Sequence, residues 1–126
     1  METTRNYQLG LLYLVYLLIS ADGVIDEHEK AALLKVKVAE KIPDSIFQEF
    51  ETEIAKTKER EIYSRGIDLI NECNDADKLQ AFGLLYKMSE VDGRVHVKEV
   101  RLLLYSVRQA GIEFDDVVKR AASLKL

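Results

Sequence analysis

The sequence predicts an all-α fold: a single compact bundle of about seven helices with an internal pseudo-twofold repeat, occupying residues 1–126. Apolar residues recur at helical spacing, and no stretch alternates with a period of two for long enough to form a strand. One Pro and six Gly are too few turn residues for a sandwich or barrel of many short strands. A length of 126 residues suits one domain rather than two.

The first predicted helix covers residues 9–21 and opens with the unbroken apolar run LGLLYLVYLLI. This run is shorter than the roughly 20 residues that a bilayer span needs. A signal peptide would carry basic residues ahead of the run, but Arg5 is alone there and is opposed by Glu2. A helix that is apolar on every side is typical of the buried centre of a bundle. We therefore predict a core helix and no transmembrane segment.

The chain carries an internal repeat, because residues 12–42 align without a gap on residues 82–112. The matches keep helical spacing on both sides of an Asp-Gly corner, which predicts two units, 9–42 and 79–112, each made of helix, corner and helix. Gly23 and Gly93 can adopt the left-handed conformation that ends a helix. The identical pairs are Leu14/Leu84, Tyr16/Tyr86, Asp22/Asp92, Gly23/Gly93, Glu29/Glu99, Leu33/Leu103, Leu34/Leu104 and Ile42/Ile112.

The segments outside the two corners also show helical periodicity. Pro43 opens a helix whose apolar side chains, from Ile46 to Ile54, recur on one face. Asn74 begins a polar stretch that is typical of a helix stop followed by a new cap. The remaining predicted helices cover residues 62–73, 79–91, 97–111 and 115–124.

Polar side chains gather at both corners at positions i, i+4 and i+7. They are Asp22, Asp26 and Glu29 in the first copy, and Asp92, His96 and Glu99 in the second. Oxygen ligands suit calcium or magnesium, whereas an added His favours zinc, manganese or iron. Two interpretations stay open: these residues cap the corner and the following helix, or they also bind a divalent cation weakly. Titration with calcium, manganese or zinc should shift the amide signals of both corners if a cation binds.

The doubled corner motif resembles the TerB-like tellurite-resistance family. It reads ADGVIDEHE at residues 21–29 and VDGRVHVKE at residues 91–99, with Glu six positions after Gly in both copies. The resemblance implies an all-helical fold with internal pseudosymmetry and acidic corners. It also implies a role in resistance to tellurite and other chemical stress, within metal-linked or membrane-linked protein complexes. The second copy departs from the first at residues 96–98.

Motifs for nucleophilic or nucleotide-dependent catalysis are absent from the sequence. His28-Glu29 would need a second His at the position of Ala32 to form a zinc-protease motif, and the six Gly form no phosphate-binding loop. We therefore predict a non-catalytic module that acts through protein contacts. The alternative is a metal-dependent, hydrolase-like enzyme that uses Asp92, His96 and Glu99. A homodimer joined by an exposed apolar groove is a third possibility.

Charge and cysteine content narrow the expected partners and compartment. The single Cys73 can form no intrachain disulfide and is expected to be a small buried residue, which suits a cytoplasmic location. A formal net charge of −4 gives no net attraction to nucleic acid, so no nucleic-acid partner is expected. One predicted helical face is basic, and we interpret it as an ordinary solvated face rather than a phosphate-binding surface. Its residues are Lys98, Arg101, Tyr105 and Arg108.

Overall fold

The computed structural model describes residues 2–19, 27–91, 95–107 and 112–124, with side chains from residue 5 onwards. Across these ranges the chain forms seven helices and no β-strand, which confirms the predicted all-α bundle. The helices are α1 (Glu2–Ile19), α2 (Glu27–Ala39), α3 (Asp44–Lys56), α4 (Glu59–Asn71), α5 (Asp75–Val91), α6 (Val97–Ser106) and α7 (Phe114–Ala122).

Helix α1 is the central helix, as its apolar composition predicts. It packs against α2, α3, α4 and α5, and its residues 7–16 are all buried. It begins seven residues earlier than predicted, where Arg5 pairs with Glu49 of α3 and so extends the contact between these helices. The helices of the described ranges include none with the combined length and hydropathy of a membrane span.

Two glycines allow α1 and α4 to approach each other closely. A Cβ atom built at Gly66 would lie 3.1 Å from Leu14 Cδ2 and 3.2 Å from Tyr13 Cβ. A Cβ atom built at Gly10 would lie 3.1 Å from Leu69 Cβ. Because these distances are shorter than ordinary van der Waals contact, neither position has room for a large side chain.

The two predicted repeat units have the same order of helices, and each makes a corresponding aromatic contact. Each consists of a long helix followed by a shorter one, α1 with α2 and α5 with α6. The matched tyrosines, Tyr16 and Tyr86, each meet a phenylalanine edge to face. Tyr16 lies 6.2 Å from Phe50 of α3, and Tyr86 lies 5.6 Å from Phe114 of α7, between ring centroids. The helix that follows each unit therefore covers its long helix with the same kind of contact.

Several helix ends differ from the predicted ones for local reasons. Helix α6 stops at Ser106 rather than continuing to residue 111, because Val107 is buried in an extended conformation with φ −97° and ψ 137°. Helix α5 begins at Asp75, four residues before the predicted start. Asn74 caps it, with its Oδ1 accepting a hydrogen bond from the Asp77 backbone N–H at 2.8 Å. The proposed helix-ending glycines Gly23 and Gly93 lie outside the described residues.

Candidate functional site

The structure describes half of the predicted cation ligands. Glu29, His96 and Glu99 are described, whereas Asp22, Asp26 and Asp92 lie outside the described residues. Among the residues whose positions are given, His, Cys, Asp and Glu side chains form no group of three that could hold a metal ion. Cation binding at the corners therefore remains a prediction.

The two repeat-matched glutamates lie in different surroundings. Glu29, in the first turn of α2, is buried with 4% of its surface exposed, whereas Glu99, in the first turn of α6, is exposed. A carboxylate in the first turn of a helix interacts favourably with the positive end of the helix dipole. The capping interpretation thus suits both residues, but their unequal burial argues against two equivalent sites.

His96 occupies the N-cap position of α6 and is exposed. Its backbone carbonyl accepts a hydrogen bond from the Glu99 N–H at 2.9 Å, while its side chain forms no capping bond to the first turn of α6. This agrees with the low capping preference of His.

An open, mostly apolar groove lies where the end of α1, the start of α4 and one side of α6 meet. We call it the α6 groove. Its volume is about 650 Å³, large enough to receive several side chains of another molecule. Its lining residues are Leu17, Leu18, Glu59, Arg60, Tyr63, Glu99, Leu102, Leu103 and Ser106.

The repeat explains why this groove is open. On α2, the face formed by Glu29, Ala32, Leu33 and Val36 is buried. The matched positions on α6 are Glu99, Leu102, Leu103 and Ser106, of which only Leu103 is buried. Small Ala32 is replaced by Leu102 and apolar Val36 by Ser106, so this face of α6 cannot pack as its counterpart does.

A hydrogen bond joins the α4 wall of the groove to its α6 wall. The Tyr63 hydroxyl of α4 donates to Ser106 Oγ of α6 at 2.7 Å, and Ser106 Oγ donates to the Leu102 carbonyl at 3.2 Å. Tyr63 and Ser106 are both partly exposed, so a bound partner could add further contacts at this point. Helix α6 packs mainly on α5, which leaves its other side as one wall of the groove.

The predicted basic face of α6 is exposed, but one of its cations already has an aromatic partner. Lys98, Arg101 and Tyr105 are exposed, and Arg108 lies outside the described residues. The Arg101 guanidinium lies 4.7 Å from the centre of the Phe114 ring, within the range of a cation–π contact. This contact packs the Arg101 side chain against α7, and the interpretation of the face as a solvated one stays a prediction.

A polar network that runs from buried Tyr7 to exposed Arg120 joins the two halves of the bundle. The Tyr7 hydroxyl of α1 donates to Glu40 Oε1, which follows α2. Gln80 Nε2 of α5 donates to Glu40 Oε2 at 3.3 Å, and Arg120 Nε of α7 donates to Gln80 Oε1 at 2.7 Å. Burial, and then the hydrogen bond to Glu40, hold the pKa of Tyr7 far above its usual value.

We expect the Tyr7→Phe variant to lose about 1–2 kcal/mol of unfolding free energy at neutral pH, because the partly buried Glu40 carboxylate loses a hydrogen-bond donor. The raised pKa also makes the wild type less stable as pH rises above 10, where tyrosine ionises in the unfolded chain but Tyr7 stays protonated in the folded one. Urea unfolding between pH 7 and 11 should therefore show a shallower alkaline loss for Tyr7→Phe. An equal alkaline loss in both proteins would contradict this role, and exposed Tyr105→Phe is the control.

Cys73 is buried, as predicted. Its thiol lies 3.5 Å from the Leu69 carbonyl, to which it donates. Burial, followed by the nearby Asp77 carboxylate, raises the pKa of Cys73 to about 11. The thiol is thus protonated at neutral pH, whereas a nucleophile would need to be a thiolate.

Sequence reasoning located neither the groove nor the polar network. The sequence did contain a signal for the groove. At matched positions of the repeat, Ala32 corresponds to Leu102 and Val36 to Ser106, and these differences break an apolar face. The sequence contained no signal for the polar network, since Tyr7, Glu40 and Arg120 are far apart in the chain and share no motif.

Comparison of the chain with protein-family models, with curated proteins and with solved structures found no match in any of the three. The likeness to the TerB-like family therefore rests on the doubled corner motif at residues 21–29 and 91–99.

Proposed function

We propose that this chain is a non-catalytic cytoplasmic module of the TerB-like kind, which acts through protein contacts in a stress-response assembly. The observation that carries the proposal is the α6 groove, with Leu102 61% exposed at its edge. An open groove with an exposed leucine at its edge can bind another protein, because the exposure of that side chain to water is unfavourable. The doubled corner motif supports the stress-response part of the proposal, and weak cation binding at the corners remains a part of it.

The composition of the groove supports binding rather than catalysis. Its charged residues are Glu59, Arg60 and Glu99, while its described lining contains neither His nor Cys. His and Cys are the commonest zinc ligands, and His is the most frequent general base, so the Ser106 hydroxyl has no His in this lining to activate it. Of the two residues of the metalloenzyme alternative that the structure describes, Glu99 lies in this lining and His96 does not.

A genetic test can use two exposed aliphatic residues on different helices. Val38 of α2 is 75% exposed and lies away from the groove lining, so Val38→Asp is a matched control for Leu102→Asp. Cells without the gene should be more sensitive to tellurite. Wild type and Val38→Asp should restore tolerance, whereas Leu102→Asp should not, because a buried carboxylate in the contact is unfavourable. Unchanged tolerance after deletion would contradict the stress role.

A photo-crosslinking amino acid placed at position 102 or 38 tests the contact surface directly. We expect protein adducts from position 102 and few from position 38 in the cells that encode the chain. Equal labelling at the two positions would contradict the assignment of the groove as the contact surface. Circular dichroism spectra of all variants should match wild type, since both side chains are exposed.

A further inference from the structure

We infer that α7 is a detachable cover of α5, which opens while α1, α3 and α4 stay folded, and that Arg120 holds it closed. The inference goes beyond the proposed function, because none of the lining residues of the α6 groove belongs to α7. It is drawn from a comparison of α7 with α3, its counterpart in the repeat.

Helices α3 and α7 occupy corresponding places in the two halves of the chain. Helix α3 begins at Asp44 and α7 begins 70 residues later at Phe114, which is the offset that relates residues 12–42 to residues 82–112. Each helix follows a repeat unit and packs on its long helix, α3 on α1 and α7 on α5. The two contacts can therefore be compared position by position.

One matched position is filled in different ways in the two contacts. In the first contact, Tyr13 of α1 meets Phe50 of α3 with ring centroids 5.8 Å apart, and both side chains are buried. The matched residues, 70 positions later, are Gly83 of α5 and Arg120 of α7. Because a buried aromatic ring removes more apolar surface from water than an exposed arginine does, α7 gains less from burial at this position.

The rest of the buried face of α7 is also smaller than that of α3. The buried residues of α7 are Val117 and Ala121, whereas those of α3 are Phe47 and Phe50. Burial contributes about 25 cal/mol per Å² of apolar surface, so the two smaller side chains stabilise their contact less than two aromatic rings do. We therefore expect α7 to open at a lower free energy than α3.

Arg120 offsets part of this difference by crossing α5 to a polar partner. A Cβ atom built at Gly83 would lie 2.8 Å from Arg120 Cγ and 3.2 Å from Arg120 Cβ, so the arginine stem lies against the bare backbone of α5. Arg120 Nε then donates to Gln80 Oε1 at 2.7 Å. We call Gly83, Gln80 and Arg120 the α7 latch. Because its hydrogen bond is exposed, water competes for it, and the latch can open without unfolding the bundle.

Native-state hydrogen exchange followed by NMR compares the two helices within one protein. We expect the amides of residues 118–121 in α7 to have protection factors at least about tenfold lower than those of residues 48–55 in α3. In low urea the α7 amides should share one opening free energy, with a urea slope below that of global unfolding, because opening exposes only part of the buried surface. Equal protection of the two helices would overturn the inference, as would an α7 slope that is zero or equal to the global one.

Arg120→Met tests the latch, because methionine keeps an apolar stem against Gly83 but cannot donate to Gln80. Lys119→Met is the matched control, since Lys119 is the neighbouring exposed cation in the last turn of α7 and lies outside the latch. Arg120→Met should lower the protection factors of α7 at least about threefold more than Lys119→Met does, with those of α3 unchanged. Equal effects of the two substitutions would overturn the assignment of Arg120 as the residue that holds α7.

Gly83→Ala tests the close approach from the α5 side. Its methyl group would displace the Arg120 stem, so the protection factors of α7 should fall at least about threefold. The higher helix propensity of alanine does not change this result, since α5 stays helical in the open state. Unchanged or increased protection of α7 in this variant would overturn the role of Gly83 in the latch.

Discussion

Replacing Phe50 with alanine should lower the free energy of unfolding by about 3–5 kcal/mol. Phe50 is fully buried at 0% exposure and lies at the centre of an aromatic cluster. Its ring centroid is 5.8 Å from that of Tyr13, 6.2 Å from Tyr16 and 5.7 Å from Phe47. Alanine would remove the ring that fixes α3 against the central helix and would leave a cavity, because Tyr13 and Tyr16 belong to a helix that cannot move into the space.

Phe114→Ala is the matched control, because Phe114 makes the corresponding contact with Tyr86 in the second repeat unit. Phe114 is partly buried, and Arg101 also covers its ring. We expect a loss of about 1–2 kcal/mol there, less than at Phe50. Urea unfolding followed by circular dichroism measures both values. Equal losses at the two positions, or a loss below about 1 kcal/mol at Phe50, would show that the aromatic cluster does not hold α3 in place.

The fold class follows from the sequence because burial and helical spacing coincide in nearly every segment. Ile46, Phe47 and Phe50 recur on one side of α3, and the structure places that side against α1. Helix ends were predicted less well, since they depend on contacts between distant residues. The early start of α1 involves Glu49, and the early stop of α6 involves the burial of Val107. Neither partner can be recognised from the local sequence.

The surroundings of the candidate site residues were harder to predict than their positions. Glu29 and Glu99 occupy matched positions, and sequence reasoning assigns them the same role. The structure buries Glu29 together with Ala32 on one face of α2, and it exposes Glu99 together with Leu102 at the matched positions of α6. Two copies of a motif can therefore place matched residues in the first turn of a helix and still differ in chemistry, since burial depends on neighbouring helices that the motif does not specify.

Replacing Gly66 with leucine should destabilise the protein by about 3 kcal/mol, through overpacking of the contact between α1 and α4. Even the first carbon of the new side chain would lie 3.1 Å from Leu14 Cδ2 and 3.2 Å from Tyr13 Cβ. Tyr13 Cβ is fixed to the backbone of the central helix, so the three further carbons of leucine would fit only if α4 itself moved outward. That movement would also disturb the buried Ile62 and Ile70 of α4, which lie on either side of Gly66.

Gly66→Ala separates this steric effect from the effect of glycine on helix formation. Alanine is favoured over glycine in a helix interior by about 1 kcal/mol, while its single methyl group requires a shift of only a few tenths of an ångström. These two effects oppose each other, so we expect the alanine variant to lie within about 1 kcal/mol of wild type. Denaturant unfolding of both variants should thus give a large loss for leucine and a small change for alanine. If leucine were tolerated as well as alanine, α1 and α4 could separate without cost, and their close contact would not be what holds the centre of the bundle together.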